Sequence, residues 1–313
     1  MTAVSEITSC MPISRACSLL GIPRRTYYAR KPVMVRIQNT RTSPDTVKRI
    51  REICSERVTY GYRRVWALLR NDGIHMNPKT VQRIMKGEKL SLEPHIHRRG
   101  KEWKHLSHPH GPDELWETDL TYIPTIDDGM TYLFNVKDCF TKEWMGYFYS
   151  RTCNRRDALR SVENSVSDHE RFPEATVNRI VLRSDNGDQY TSHYFMDHVK
   201  IMGFIQEFTE KSTPEQDGDI ESFHGSIKID YIWTGDIMDF TEGEKIIGKA
   251  FNDYNTVRPH SSVEYLATTV FREKYLNDPG FRVAYDRKLQ ERKNRKKERN
   301  KMKEEREKIK EAI

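Results

Sequence analysis

Apolar residues recur at helical spacing in the first third of the chain and at strand spacing from residue 115 onward, and that switch marks a change of architecture. In PISRACSLLGIPRRTYYAR, residues 12–30, Ile13, Ala16, Leu19 and Leu20 share one helical face. Gly21 breaks that helix, and Pro23 and Thr26 open another, which is the outline of a helix-turn-helix. Ser43-Pro44-Asp45 is an N-terminal cap signal, followed by the stripe Val47, Ile50 and Ile53. Val65, Leu68 and Leu69 predict the next helix, stopped by Asp72-Gly73, and Asn77-Pro78 starts another with Val81, Ile84 and Met85. The polar side of that last helix carries Lys79, Gln82, Arg83 and Lys86, as a groove-reading helix would.

LWETDLTYIPTI, MTYLFNVKDCF and EWMGYFYS are three β-rich runs, and Asp127-Asp128-Gly129 joins the first two as a hairpin. Helices are predicted over 155–170, Ser192–Met202, Glu215–Tyr231 and Thr241–Tyr254, with short strands at Val177–Leu182 and Phe204–Phe208. Three strands followed by alternating helix and strand predict an α/β fold, a mixed sheet covered by helices. The resulting division is 1–40 and 41–92 as two helix-turn-helix-like units, 93–113 as a linker, 114–276 as the core and 277–313 as a charged C-terminal helix or tail.

Charge sharpens this picture. The net charge of +7 hides three blocks. Residues 1–112 carry 22 Lys and Arg against 8 Asp and Glu, residues 113–286 carry 18 against 32, and residues 287–313 carry 13 against 6. Basic ends suit a polyanion partner, because each neutralised phosphate releases a counterion. An acidic middle suits carboxylates directed at metal ions, although charge runs are also common on plainly solvated faces. Five cysteines lie scattered without a CxxC pair, as in a reduced cytoplasmic protein, and they supply no zinc site. The five histidines between residues 95 and 110 lack cysteine partners for one. No run of apolar residues is long enough for a transmembrane helix.

Three acids stand out by position. Asp119 lies inside a strand, where Asp is disfavoured. Asp185 directly follows an apolar strand and opens Asp-Asn-Gly, at the end where α/β sheets bind ligands. Glu221 lies on a helix, with 35 residues between it and Asp185. Singly these read as a hydrogen-bonded strand residue, a turn and a solvated helix position. Together they are the oxygen ligands that a pair of Mg²⁺ or Mn²⁺ ions needs to activate an attacking oxygen and stabilise a leaving one.

WETDLTYI, LRSDNGDQYTS, ESFHGSIKIDYI and YNTVRPHSSVEYLATTVF occur in the order found in the integrase-like DDE transposases of bacterial insertion sequences, of OrfB type, and more distantly in retroviral integrases. The resemblance extends over roughly residues 12–275. It implies a ribonuclease H-like catalytic core behind N-terminal helix-turn-helix units, with Asp119, Asp185 and Glu221 as catalytic ligands of two metal ions. It also implies that Lys228, seven residues after Glu221, contacts transposon-end DNA. Asn186, Arg63, Arg64, Lys79 and Arg83 are further candidate DNA contacts. His224 shares the Glu221 face, and Arg258, Pro259 and His260 carry a structural or backbone-contacting role. The chain departs from its relatives in PEQDGDIES, whose extra acids Asp217 and Asp219 stand near Glu221. The expected activity is transposition: binding terminal inverted repeats of double-stranded DNA, cleaving and joining strands, as at least a dimer when DNA-bound, with an upstream-frame DNA-binding partner as a further possibility. Such a protein works in the cytoplasm on the nucleoid. The rival readings are a catalytically inactive transposase-derived regulator and a nuclease that cuts without joining.

Overall fold

Ser43 accepts the Asp45 amide at 3.2 Å and so caps the first described helix, α1 (Pro44–Glu56). The computed structural model describes residues 17–19, 21, 43–92, 108–167, 179–209 and 218–311. Of the helix-turn-helix expected over 12–30, residues 17–19 are helical and the rest, apart from Gly21, lies outside the described residues, as do residues 93–107 of the expected linker and Asp217. The chain divides into two compact units, Met1–Lys48 and Arg49–Ile313.

Helices α2 (Tyr62–Asn71) and α3 (Pro78–Gly87) close a small core of Ile50, Ile53, Tyr60, Val65, Leu69, Val81 and Met85. The expected stop at Asp72-Gly73 is a left-handed cap: Gly73 has φ +79°, and the Ile74 amide reaches back to the Leu69 carbonyl at 2.8 Å. Asn77 caps α3 by accepting the Lys79 amide, with Pro78 at its first position.

The sheet has the order β3-β2-β1-β4-β5, with β1 (Leu115–Thr125), β2 (Gly129–Asp138) and β3 (Trp144–Ser150) antiparallel and β4 (Val181–Ser184) and β5 (Ile205–Phe208) parallel to β1. Gly129, at φ +71°, turns the predicted hairpin. One face packs Trp116, Phe134 and Val136 against α4 (Arg155–Ser165), with Leu159 and Val162, and α6 (His193–Ile201), with Phe195 and Val199. Helix α4 approaches over Gly146, where a Cβ would stand 2.7 Å from the Ser165 amide nitrogen. A four-residue helix, α5 (Asp188–Thr191), precedes α6.

The other face packs Ile123, Leu133 and Trp144 against α7 (Gly218–Ile227) and α8 (Phe240–Thr256). The single helix expected to Tyr231 instead ends in a π-turn, Lys228–Ile232. Helix α9 (Thr268–Asn277) and the start of α10 (Pro279–Glu311) enclose Phe140, Val263, Phe271 and Tyr285. The basic C-terminal segment is thus helical throughout its described length. This mixed sheet with helices on both faces is the expected ribonuclease H-like arrangement.

Candidate active site

Side chains two apart on a strand share a face. Glu117 of β1 faces Arg183 of β4, 3.1 Å away, and the register pairs Thr118 with Ser184 as the last step of the parallel ladder. Asp119 is the next residue along β1, and Asp185 is the first residue past the end of β4, so the ladder ends one step short of both. Tyr190, fully buried, lies beside both: burial first, then the charges of Asp119 and Asp185, push its hydroxyl well above the ordinary phenol range. Asp119 Oδ1 accepts the Leu120 amide at 2.8 Å, and Asp185 Oδ1 accepts the Gly187 amide at 2.9 Å. Asn186 donates its amide to the Thr209 carbonyl at 2.6 Å, tying the ends of β4 and β5.

Helix α7 rests on the sheet through Ile220, Phe223 and Ile227. His224 descends beside Asp119. Asn135, the β2 register partner of Asp119, donates its amide to the Leu133 carbonyl at 3.2 Å and to His224 Nε2 at 3.1 Å. Nε2 is therefore assigned as the acceptor, and the ring proton as carried by Nδ1, 3.6 Å from Asp119 Oδ2. Burial, then Lys228 and Lys137, push the His224 pKa down to about 3, so the ring is neutral. Glu221 is exposed one turn before His224 on the same side of α7. Lys228 follows, half-buried; burial lowers its pKa, and the Asp119 charge opposes that shift.

Among the described residues, the one group of three acidic, His or Cys side chains whose ligand atoms all lie within 4.8 Å of one another is Glu117, Cys139 and Asp219. It is already neutralised: Arg183 pairs with Glu117, while Lys137 and Lys142 both pair with Asp219. Burial opposes the Asp219 charge, but the two lysines outweigh it and hold the carboxyl well below the usual range. Asp119, Asp185 and Glu221 stand wider apart than that group. Their donors are all hard oxygen, and the imidazole beside Asp119 is neutral, so this set fits Mg²⁺ or Mn²⁺ rather than a soft metal.

The candidate DNA contacts separate. Lys79 and Arg83 are exposed on α3, and Arg63 is exposed on α2, over the Tyr62 ring. Arg64 turns inward to Asp230 of the π-turn, 3.1 Å away. The sequence reading missed Asn135, Tyr190, Lys137 and Asp230. For two of them a signal existed: Asn135 and Lys137 continue the Leu133 face of an otherwise apolar strand.

Residues 44–99 match an HTH-like domain family, and residues 109–214 and 202–267 match integrase core domain families. The transposase InsD of insertion element IS2 from Escherichia coli is 30% identical over 278 residues, spanning 84% of this chain and 88% of that protein. The chain belongs to the insertion-sequence transposases with an integrase core. This transposase is also 26% identical, over 264 residues, to the 31.7 kDa protein of insertion element IS407 from Burkholderia multivorans, across 83% of its own length and 90% of that protein's. It is also similar to the catalytic core domain of HTLV-2 integrase, solved in complex with magnesium, with a TM-score of 0.41 and 14% identity, over 53% of this chain and 99% of that one. The transposase is a DNA-acting polynucleotidyl transferase. No helix among its described residues is long and apolar enough to cross a membrane.

Proposed function

We propose that this transposase binds the terminal inverted repeats of its element and cuts and joins DNA at Asp119, Asp185 and Glu221, which hold two Mg²⁺ or Mn²⁺ ions. The observation that supports this reading is the placement of Asp119 on β1 and Asp185 just past the end of its parallel neighbour β4, both acting on the buried Tyr190, with His224, one turn from Glu221, lying against Asp119. When bound, the ions supply Lewis-acid activation of the attacking oxygen and charge stabilisation of the leaving oxygen. Asp119 sits on the sheet and Asp185 just past the end of β4, each with Oδ1 held by a backbone amide, so their oxygens hold position while charge redistributes on a phosphate. His224 directs its Nδ1 proton at Asp119 and steers that carboxylate without adding charge. Lys228 places an ammonium beside Asp119, where it binds a phosphate of the transposon end. Helix α3 reads the duplex through Lys79 and Arg83, with Arg63 on the adjacent surface. Two ends must be joined, so the working species is at least a dimer on DNA, acting at the nucleoid.

Asp119→Asn is the test. Several kcal/mol of charge stabilisation are at stake, which corresponds to roughly a thousandfold in rate. End cleavage in Mg²⁺ should fall by about that factor, while binding of the same duplex, read by gel shift, persists. A variant that cleaves like the wild type would end the assignment of catalysis to Asp119, whereas a wild type that binds the duplex and cleaves nothing would leave the inactive regulator standing.

A further inference from the structure

Asp219 lies two residues before Glu221 on α7, roughly 200° around the helix, so the two project from opposite flanks. Between them, Ile220, Phe223 and Ile227 press on the sheet. An apolar face of this kind fixes the height of a helix but resists rolling weakly, because hydrophobic contact is non-directional. The flank opposite Glu221 is held differently. Lys137, buried in β2, reaches the Asp219 main-chain carbonyl at 2.9 Å and its Oδ1 at 3.3 Å. Lys142, from the β2–β3 turn, takes the other oxygen, Oδ2. Both carboxylate oxygens and one carbonyl of the first turn are thereby tied to a single strand and the turn after it. These oxygens are committed to ammonium groups, so Asp219 does not act as a ligand itself.

We infer that Asp219, Lys137 and Lys142 form a clamp that sets the roll of α7 and thereby the position of Glu221 over Asp119 and Asp185. At a radius of about 6 Å from the helix axis, a roll of roughly 15° displaces a side-chain end by about 1.5 Å. Errors of that size matter in a reaction geometry, where about 1 Å costs on the order of a hundredfold. Asp219 is a positioning residue acting through Glu221, and the inference rests on the proposal that Glu221 is a metal ligand.

The test is Mn²⁺ titration of the full chain by calorimetry, with melting temperature recorded in parallel. Asp219→Asn should weaken Mn²⁺ binding by about tenfold, the scale seen when groups that orient metal ligands are removed. Asp219→Glu, which can still reach both lysines, should restore most of it. In a Glu221→Gln background, Asp219→Asn should cost nothing further, since the clamp acts only through that carboxylate. A purely structural role would lower the melting temperature and leave Mn²⁺ affinity unchanged; that result, or an additive double variant, overturns the clamp. If Glu221→Gln alone leaves Mn²⁺ binding intact, the underlying ligand assignment fails instead. Should Asp219→Asn not fold, Lys142→Met, which leaves Lys137 on Asp219, reads the same quantity.

Discussion

Helices α2 and α3 are neighbours of equal length, ten residues each, and both carry basic side chains, yet they spend that charge in opposite ways. On α3, Lys79, Arg83 and Lys86 are exposed along one side. On α2, Arg64 pairs with Asp230, and Arg70 donates to the carbonyls of Glu264 and Tyr265 at 3.4 and 3.3 Å. Arg57, just before α2, pairs with Asp253 through two bonds of 2.5 Å. Arg57, Arg64 and Arg70 are thus committed to the catalytic core, while Arg63 alone of the α2 arginines stays exposed. Basic residues mark a nucleic-acid surface only where the fold leaves them facing water.

The sharpest way to break this comparison is at Asp230. Its carboxylate, 4% exposed, receives Arg64, Thr59 at 2.6 Å and Arg258 at 2.8 Å. Removing one partner from a buried ion pair strands the other charge, at about 3–5 kcal/mol. Asp230→Ala should therefore lower unfolding free energy by about that much in urea titration. A loss under about 1 kcal/mol, the range of surface pairs, would mean α2 is not welded to the core. A smaller effect, of the opposite kind, is expected on α3. Arg83→Ala should leave stability unchanged, weaken duplex binding several-fold and reduce the salt slope by about 0.9. An unchanged slope would remove Arg83 from the interface.

The same contrast shows what sequence could carry. Periodicity located α1 to α3, the hairpin and the alternating second half, because each element buries one face against a neighbour and the spacing records that face. Asp119 stood out as a candidate because an acid inside a strand conflicts with local propensity, and Asp185 because it follows a strand at the end where α/β sheets bind ligands. Arg64 was not: nothing in Tyr-Gly-Tyr-Arg-Arg tells which arginine meets an acid 166 positions later. In the sequence Asp219 stood out only as an extra acid near Glu221, and the two lysines on it appear only in the structure. Long-range charge pairing leaves no periodic trace, so the elements could be read along the chain but the wiring between them could not. The π-turn was equally hidden, since its sequence continues the helical pattern of α7.

The core side of that fastening also predicts a pH dependence that the α3 surface should lack. His260 opens the loop whose carbonyls at residues 264 and 265 hold Arg70; its amide donates to the Leu266 carbonyl at 3.0 Å, and its Nδ1 accepts the Ser262 amide at 3.3 Å. Burial first, then the charges of Arg258, Lys142 and Lys137, push its pKa well below 6.5, with Asp219 opposing. A histidine depressed in the fold contributes stability that is fully present above its unfolded value of about 6.5 and is lost as pH falls below it, by at most about 1.4 kcal/mol per pH unit. The wild-type melting temperature should therefore drop more between pH 7 and 5.5 than that of His260→Asn, whose side-chain oxygen can still accept the Ser262 amide. Parallel curves for the two proteins would show that His260 takes up its proton without loosening the loop, and that the seat of Arg70 does not depend on it.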